Sequence, residues 1–423
     1  MEVTSSSELA PANSELADAW QKKARALDSY RWSQLLANGS VLASGASWAK
    51  AWAADMLLGL RAHFHTRSAP GPSQERLVLL QDTPTVTESF IRTLRDMGLD
   101  PVATQRLPLK AAIQERKLCR PAHRVPLRYY AYAAHAEWLA RANTPKAILS
   151  IGDAGLITPF LRLSLNAQGK KLIQLAPLPT TKNSRRWSMT DCDLLLCPGQ
   201  SALAASRTRP LRMGSTLAVL AGSPLVERGF DLPAPAPGLA RLLLVGSGPE
   251  FEQQPGHRLA YELVLKWAQA HPETEICYKA HPQGSSDFWL KAAKALSNVV
   301  VLPAGTELVD VMAQASAVIT VSAHGALEAT LAQRPVVFVD TGQTIDRLEQ
   351  GRFFGRKIGS GIDLEQRLEW LCNHHEQALQ QSKAFLEHHL AHGLKGPEHL
   401  ARLVDRVVRG QQIEAVSLEG TSG

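Results

Sequence analysis

The residues best placed for chemistry lie in the second half of this 423-residue chain. Ile276-Cys277-Tyr278 reads as a short buried strand that runs into Lys279-Ala280-His281-Pro282. A strand ending there puts His281 at the carboxyl edge of a sheet, where a doubly wound domain meets its ligands. A histidine near its neutral pKa can donate to a phosphate or act as an acid, and Pro282 stiffens the exit. The plain alternative is a turn histidine beside a proline. Further on, Val318-Ile319-Thr320-Val321 leads into Ser322-Ala323-His324-Gly325, with a helix expected from about Gly325 to Gln333. The free N–H groups and positive dipole end of such a helix suit an anion, and the Ser322 hydroxyl adds a donor. Gly325 permits close backbone approach, and Glu328 can reach a ribose hydroxyl from the same helix. Their ordinary roles would be an N-cap serine and a capping acid.

Other chemistry-bearing residues are more scattered. Asp153, in Gly152-Asp153-Ala154-Gly155 after the apolar run Ala147 to Ile151, suits a carboxylate that takes a proton from an acceptor hydroxyl; a helix N-cap is the alternative. Lys182, Arg185 and Arg186 could hold a phosphate or an acidic sugar. Ser44-Gly45-Ala46-Ser47 reads as a small-residue helix start before Trp48 to Leu60. His388 and His392 have the spacing of a metal pair, but His389 stands where the zinc-protease motif has Glu. No metal site is therefore expected, and the cluster His374, His375, His388, His389, His392 and His399 reads as a solvated helix face.

These residues need a scaffold, and the hydrophobic pattern supplies one. Pro233-Ala234-Pro235-Ala236-Pro237-Gly238 is an extended spacer and reads as an interdomain linker. After it, continuous apolar runs (Leu242 to Val245, Ile276 to Tyr278, Val299 to Leu302, Val318 to Val321, Val336 to Val339) alternate with amphipathic helical stretches. That alternation implies a parallel sheet covered on both faces. The first half has the same grammar, with strands expected at Val41-Leu42, Leu77 to Leu80, Ala147 to Ile151, Leu172 to Leu175 and Leu194 to Cys197. Residues from about Glu365 to Gly410 read as helices and the last dozen as a frayed tail.

The series Lys279-x-His281-Pro282, Thr320-Val321-Ser322-Ala323-His324-Gly325-Ala326-Leu327-Glu328-Ala329 and Gln333-Arg334-Pro335-Val336-Val337-Phe338 resembles the nucleotide-binding domain of GT-B glycosyltransferases. Within them it is similar to the bacterial groups with a Lys-x-His-Pro motif: sialyltransferases, capsule Kdo transferases and CDP-glycerol glycerophosphotransferases. The resemblance spans residues 241 to 345. It implies an α/β fold of two Rossmann-like doubly wound domains facing a cleft. Residues 28–232 would bind the acceptor and 239–385 the nucleotide sugar, with a C-terminal helix and tail over 386–423. The implied activity is transfer of a sugar, an acidic one such as sialic acid or Kdo carried by CMP, onto a surface-glycan acceptor. His281 would protonate the departing phosphate and Asp153 would serve as base. Lys279, Pro282, Ser322, His324, Gly325 and Glu328 would form the donor site. Relatives of the sialyltransferase type have two acids before the glycine, and here Ala154 takes the second place. Ala176-Pro177 stands where many have His-Gly. Two other readings stay open: phosphotransfer from a CDP-alcohol with the same histidine, and a scaffold that binds nucleotide without turnover.

Composition sets the outer bounds. Hydrophobic residues make up 45% and charged residues 20%, the profile of a folded globular protein long enough for two or three domains. Lys plus Arg number 46 against 39 acids, a net charge of +7 that falls short of a nucleic-acid signature. The excess concentrates at Arg106, Lys110, Arg116, Lys117, Arg120, Arg124 and Arg128, with Glu115 the one acid among them. This basic face suits an anionic acceptor, the headgroups of an inner membrane, or plain solvent. Five scattered cysteines and no signal-like or spanning segment lead to the expectation of a cytoplasmic protein, peripheral at most. The expected partners are a nucleotide-sugar donor and a glycan or glycolipid acceptor, with no nucleic acid and no separate cofactor.

Overall fold

The structure, a computed structural model, describes residues 9–37, 41–68, 76–81, 88–142, 145–152, 154–176, 178–179, 189–209, 213–321, 323–355 and 357–418. Its strands are β1 (Arg76–Gln81), β2 (Pro101–Gln105), β3 (Pro145–Ile151), β4 (Lys171–Leu175), β5 (Leu194–Cys197), β6 (Thr216–Leu220), β7 (Arg241–Val245), β8 (Glu275–Lys279), β9 (Val299–Val301), β10 (Ala317–Thr320), β11 (Val336–Phe338) and β12 (Val416–Leu418). The helices of the first half are α1 (Leu9–Ala37), α2 (Val41–His65), α3 (Glu88–Asp96), α4 (Leu109–Gln114), α5 (Leu127–Ala142), α6 (Thr158–Asn166) and α7 (Gln200–Arg207). Those of the second are α8 (Pro249–Glu252), α9 (Pro255–Ala270), α10 (Asp287–Ala295), α11 (Leu308–Gln314), α12 (Ala323–Leu331), α13 (Gln350–Phe354), α14 (Gly361–Asn373), α15 (His375–His389) and α16 (Gly396–Val408).

The strands form a seven-stranded sheet in the order β12-β6-β5-β4-β3-β1-β2 and a five-stranded sheet in the order β11-β10-β7-β8-β9. Every pairing is parallel except β12 with β6. This is the α/β architecture of two Rossmann-like domains. Side chains alternate across each sheet, so Val78, Leu80, Ile148 and Leu172 face one core with Trp20, Tyr129 and Phe160, while Leu77, Leu79, Leu149 and Ile173 face another with Phe90, Leu400 and Val404. The second sheet is covered likewise, by α9, α10 and α14 on one face and by α11, α12 and α15 on the other.

Several expectations are corrected. Val41-Leu42 belongs to α2 rather than a strand, and Ser44-Gly45-Ala46-Ser47 lies inside that helix instead of opening it. β2 and β6 were not foreseen. Within the end expected to fray, Val416–Leu418 joins the first sheet, with Ser417 paired to Leu217, and residues 419–423 lie outside the described residues. α1 also joins that unit ahead of residue 28: Trp20 is buried and Lys23 forms an ion pair with buried Asp191, which Arg162 shares at 2.9 Å.

The histidine cluster is a solvated face only in part: His374 and His392 are exposed, while His375, His388 and His399 are half-buried. His389 is fully buried, its Nδ1 2.8 Å from Ser201 Oγ, and burial next to His388 holds its pKa down to about 3. This contact joins the two halves. A Cβ on Gly199 would sit 2.4 Å from the His389 carbonyl, and one on Gly222 2.6 Å from Gly396 Cα, so backbones meet where side chains would not fit. Gly199 follows β5, so the carboxyl edge of the first sheet is turned toward the second unit. The linker is clamped as well: Gln333 donates to the Leu232 carbonyl, buried Arg334 to Pro233, and His375 Nε2 lies 2.9 Å from the Pro235 oxygen.

Two glycine substitutions test this arrangement by urea denaturation. Gly199→Ala should cost about 1–3 kcal/mol because backbone must move. Gly45→Ala meets nothing within 4 Å inside α2 and should gain about 0.5–1 kcal/mol. A Gly45→Ala loss would mean that the segment is a turn after all.

Candidate functional site

In the order β11-β10-β7-β8-β9 the chain winds outward in both directions from β7, so the crevice between β7 and β10 is the topological switch point at which such sheets bind ligands. A cavity of about 780 Å³ opens there, bounded by the loop after β7, the turn after β8, the loop after β9, the start of α12 and residues 344–347. Its lining includes Lys279, His281, Pro282, Gly325 and Glu328 of the residues expected from sequence. Asp153, Ser322, Pro177, Lys182, Arg185 and Arg186 lie outside the described residues, as does the side chain of His324.

His281 owes its position to a tight turn. The Gly284 N–H donates to the His281 carbonyl at 2.8 Å, with Pro282 at the second position, where its fixed φ suits a turn. The Gln283 N–H donates to His281 Nδ1 at 3.2 Å. With Nδ1 used as an acceptor, the neutral ring carries its proton on Nε2, which is left to donate. Glu252 holds this turn from behind, accepting from the Ser285 N–H at 3.0 Å and from the Tyr278 and Tyr261 hydroxyls at 3.0 and 3.1 Å.

Lys279 ends β8 and donates to the carbonyls of Ala304 and Pro303 at 2.8 and 3.4 Å, which ties the loop after β9 into the cavity wall. Gly325 has a packing reason: a Cβ there would come within 3.1 Å of Val245, so its absence lets α12 rest on the end of β7. Burial, with Glu227 adding repulsion, pushes the Glu328 carboxyl up to about 7. Near neutrality this group is poised between donor and acceptor, suited to a hydroxyl pair that can play either part.

Other wall residues were not singled out from sequence. Ser247 and His257, both buried, share a 2.7 Å hydrogen bond, and burial lowers the His257 pKa. The small residues Gly246-Ser247-Gly248 directly after an apolar run are a signal in the sequence for this part of the wall, whereas nothing local distinguishes His257 from the other positions of α9. Arg347 lies over the Phe251 ring at 4.6 Å. In the first sheet, the switch between β1 and β3 is marked by Arg106, whose Nη2 donates to Ser150 Oγ at 2.7 Å. Gly152, next to Asp153, has φ +111° and donates to the Leu175 carbonyl at 3.0 Å.

No family model matches the chain, and no curated protein matches it significantly. Among solved structures it is similar to S. aureus MnaA in complex with UDP, at 12% identity and TM-score 0.49, over 79% of this chain and 96% of that one. It is also similar to UDP-GlcNAc 2-epimerase from Neisseria meningitidis bound to UDP-GlcNAc, at 11% identity and TM-score 0.49, over 80% and 100%. The wall teichoic acid polymerase TagF soaked with CDPG follows at 12% identity and TM-score 0.42, over 84% and 94%.

The Glu227–Glu328 coupling gives a direct test. The ordinary carboxyl value is 4.5, so between there and about 7 the unfolded chain has lost a proton that the folded protein keeps. Stability from this group therefore falls as pH rises through that window, and Glu328→Gln should remove the fall. Glu227→Gln should move the Glu328 titration, followed by carboxyl-carbon NMR, to lower pH. An unmoved midpoint would leave burial as the sole cause.

Proposed function

We propose that the chain is a nucleotide-sugar-dependent glycosyltransferase of the GT-B type that moves an acidic sugar from a CMP-sugar to a surface-glycan acceptor. The observation that carries this reading is the convergence of Lys279, His281 and Glu328 on one cavity at the β7/β10 switch point, with the start of α12 in its wall. The cavity's size is in the range of small-molecule sites. The donor sugar and its nucleotide come from the Lys-x-His-Pro resemblance.

In this mechanism the N-terminal end of α12 and the third Lys279 donor take the phosphate, and Glu328 binds the ribose hydroxyls. Asp153 accepts the proton of the acceptor hydroxyl as its oxygen attacks the anomeric carbon. The bond from that carbon to the phosphate oxygen breaks, and His281 Nε2–H stabilises the departing CMP by donating to it. Charge stabilisation at the phosphate supplies the larger part of the acceleration.

A thermal-shift panel of CMP, CDP, UDP, GDP and ADP tests the donor class, since a ligand at a hundred times its Kd adds about 2.7 kcal/mol of stability. A CMP-selective shift, weakened in His281→Ala, is expected. Preference for CDP would favour phosphotransfer from a CDP-alcohol, and no shift with any nucleotide would overturn the reading. With turnover established, Asp153→Asn should lower kcat by about 10²- to 10⁴-fold with little change in CMP affinity; unchanged turnover would remove Asp153 from the mechanism.

A further inference from the structure

α2 buries one side and leaves the other bare. Its inner side packs on α5 so closely that a Cβ on Gly59 would sit 1.8 Å from the Leu127 carbonyl oxygen. On the outer side Ala46, Ala49, Ala53, Leu57, Leu60 and Phe64 recur at helical spacing and are exposed, Leu57 by 52%, Leu60 by 46% and Phe64 by 75%. Such a continuous apolar stripe on a surface helix needs a partner.

The charges around the stripe identify that partner's chemistry. Lys50 and Arg61 flank it on the same helix and are exposed. At its C-terminal end the Arg67 N–H donates to the Leu118 carbonyl at 2.9 Å, and Arg67 bridges to Cys119, so the fold brings the basic stretch with exposed Arg116 and Arg120 to the C-terminal end of α2. Residues 41–67 and 106–128 hold two acids: Asp55 is buried against Arg31, and Glu115 is paired with Lys117 at 2.8 Å. A two-fold pairing of two copies through this face would set these cations against each other, and one helix face is small against the roughly 800 Å² per partner of a stable dimer.

We propose that the outer face of α2, with Arg116 and Arg120 beside its C-terminal end, seats the protein on an anionic lipid surface. The helix lies in the interface plane, with Leu57, Leu60 and Phe64 in the acyl boundary and the cations among the headgroups. The proposal does not depend on the donor chemistry.

Co-sedimentation of the full chain with vesicles tests it, comparing phosphatidylcholine alone with a mixture one-third phosphatidylglycerol. The protein should pellet with the mixture and not with phosphatidylcholine, and rising salt should release it. Leu60→Gln with Phe64→Ser should weaken partitioning by about tenfold or more, and Arg116→Glu with Arg120→Glu by a similar factor. Both variants change exposed positions and should keep the wild-type melting temperature and nucleotide response measured without lipid. Failure to pellet with anionic vesicles, or pelleting that both variants retain, would overturn the proposal. So would a dimer in light scattering that Leu60→Gln with Phe64→Ser converts to a monomer, since the stripe would then be covered by a second copy.

Discussion

Parallel strands impose the constraint on which this structure rests. A parallel strand cannot be joined to its neighbour by a tight turn, so the chain must cross a sheet face between strands, and the helices that make the crossing bury both faces. Buried runs such as Leu242–Val245 and Leu194–Cys197 follow from this. The carboxyl ends of all the parallel strands in a sheet then lie on one edge. Where the winding reverses, between β7 and β10 and between β1 and β3, no crossover fills the gap and a crevice remains.

The two edges are useful together only if the sheets are held face to face, and backbone contact does much of this. Gly199 after β5 and Gly222 after β6 admit the end of α15 and the start of α16 at distances no side chain would allow. The chain then returns to the first sheet, where α16 packs beside α3 and β12 pairs with β6. The linker at 232–235 is held by side chains of the second unit. Among the described residues Arg334 has no acid partner; its guanidinium donates to the carbonyls of Met312 and Pro233, both at 2.6 Å, and to Ala313. The carbonyl dipoles at the end of α11 stand in for a counter-ion.

Within the crevice the chemistry is set by what each group cannot reach. His281 Nδ1 is occupied by its own turn, so in the neutral ring Nε2 is left to donate. Glu328 is kept from full ionisation by burial and by Glu227, which lies after β6. The protonation of a cavity acid thus depends on a residue from the connection between the units.

The sequence determined the α/β class, the second sheet and the positions of Lys279, His281 and Glu328 at strand ends or helix starts, because apolar runs and their punctuation are local signals. It did not determine β2, whose Pro101–Gln105 run is only partly apolar, or that Val41-Leu42 is helical, since a two-residue apolar pair fits either period. Nor could it show that His389 is a buried joint, that Gly325 answers to Val245, or that Leu118 and Cys119 meet Arg67 just past the end of α2. Those outcomes depend on which distant backbones meet. Spacing along the chain records periodicity within an element, whereas proximity between elements is settled only when the sheets have formed and their edges have been brought together.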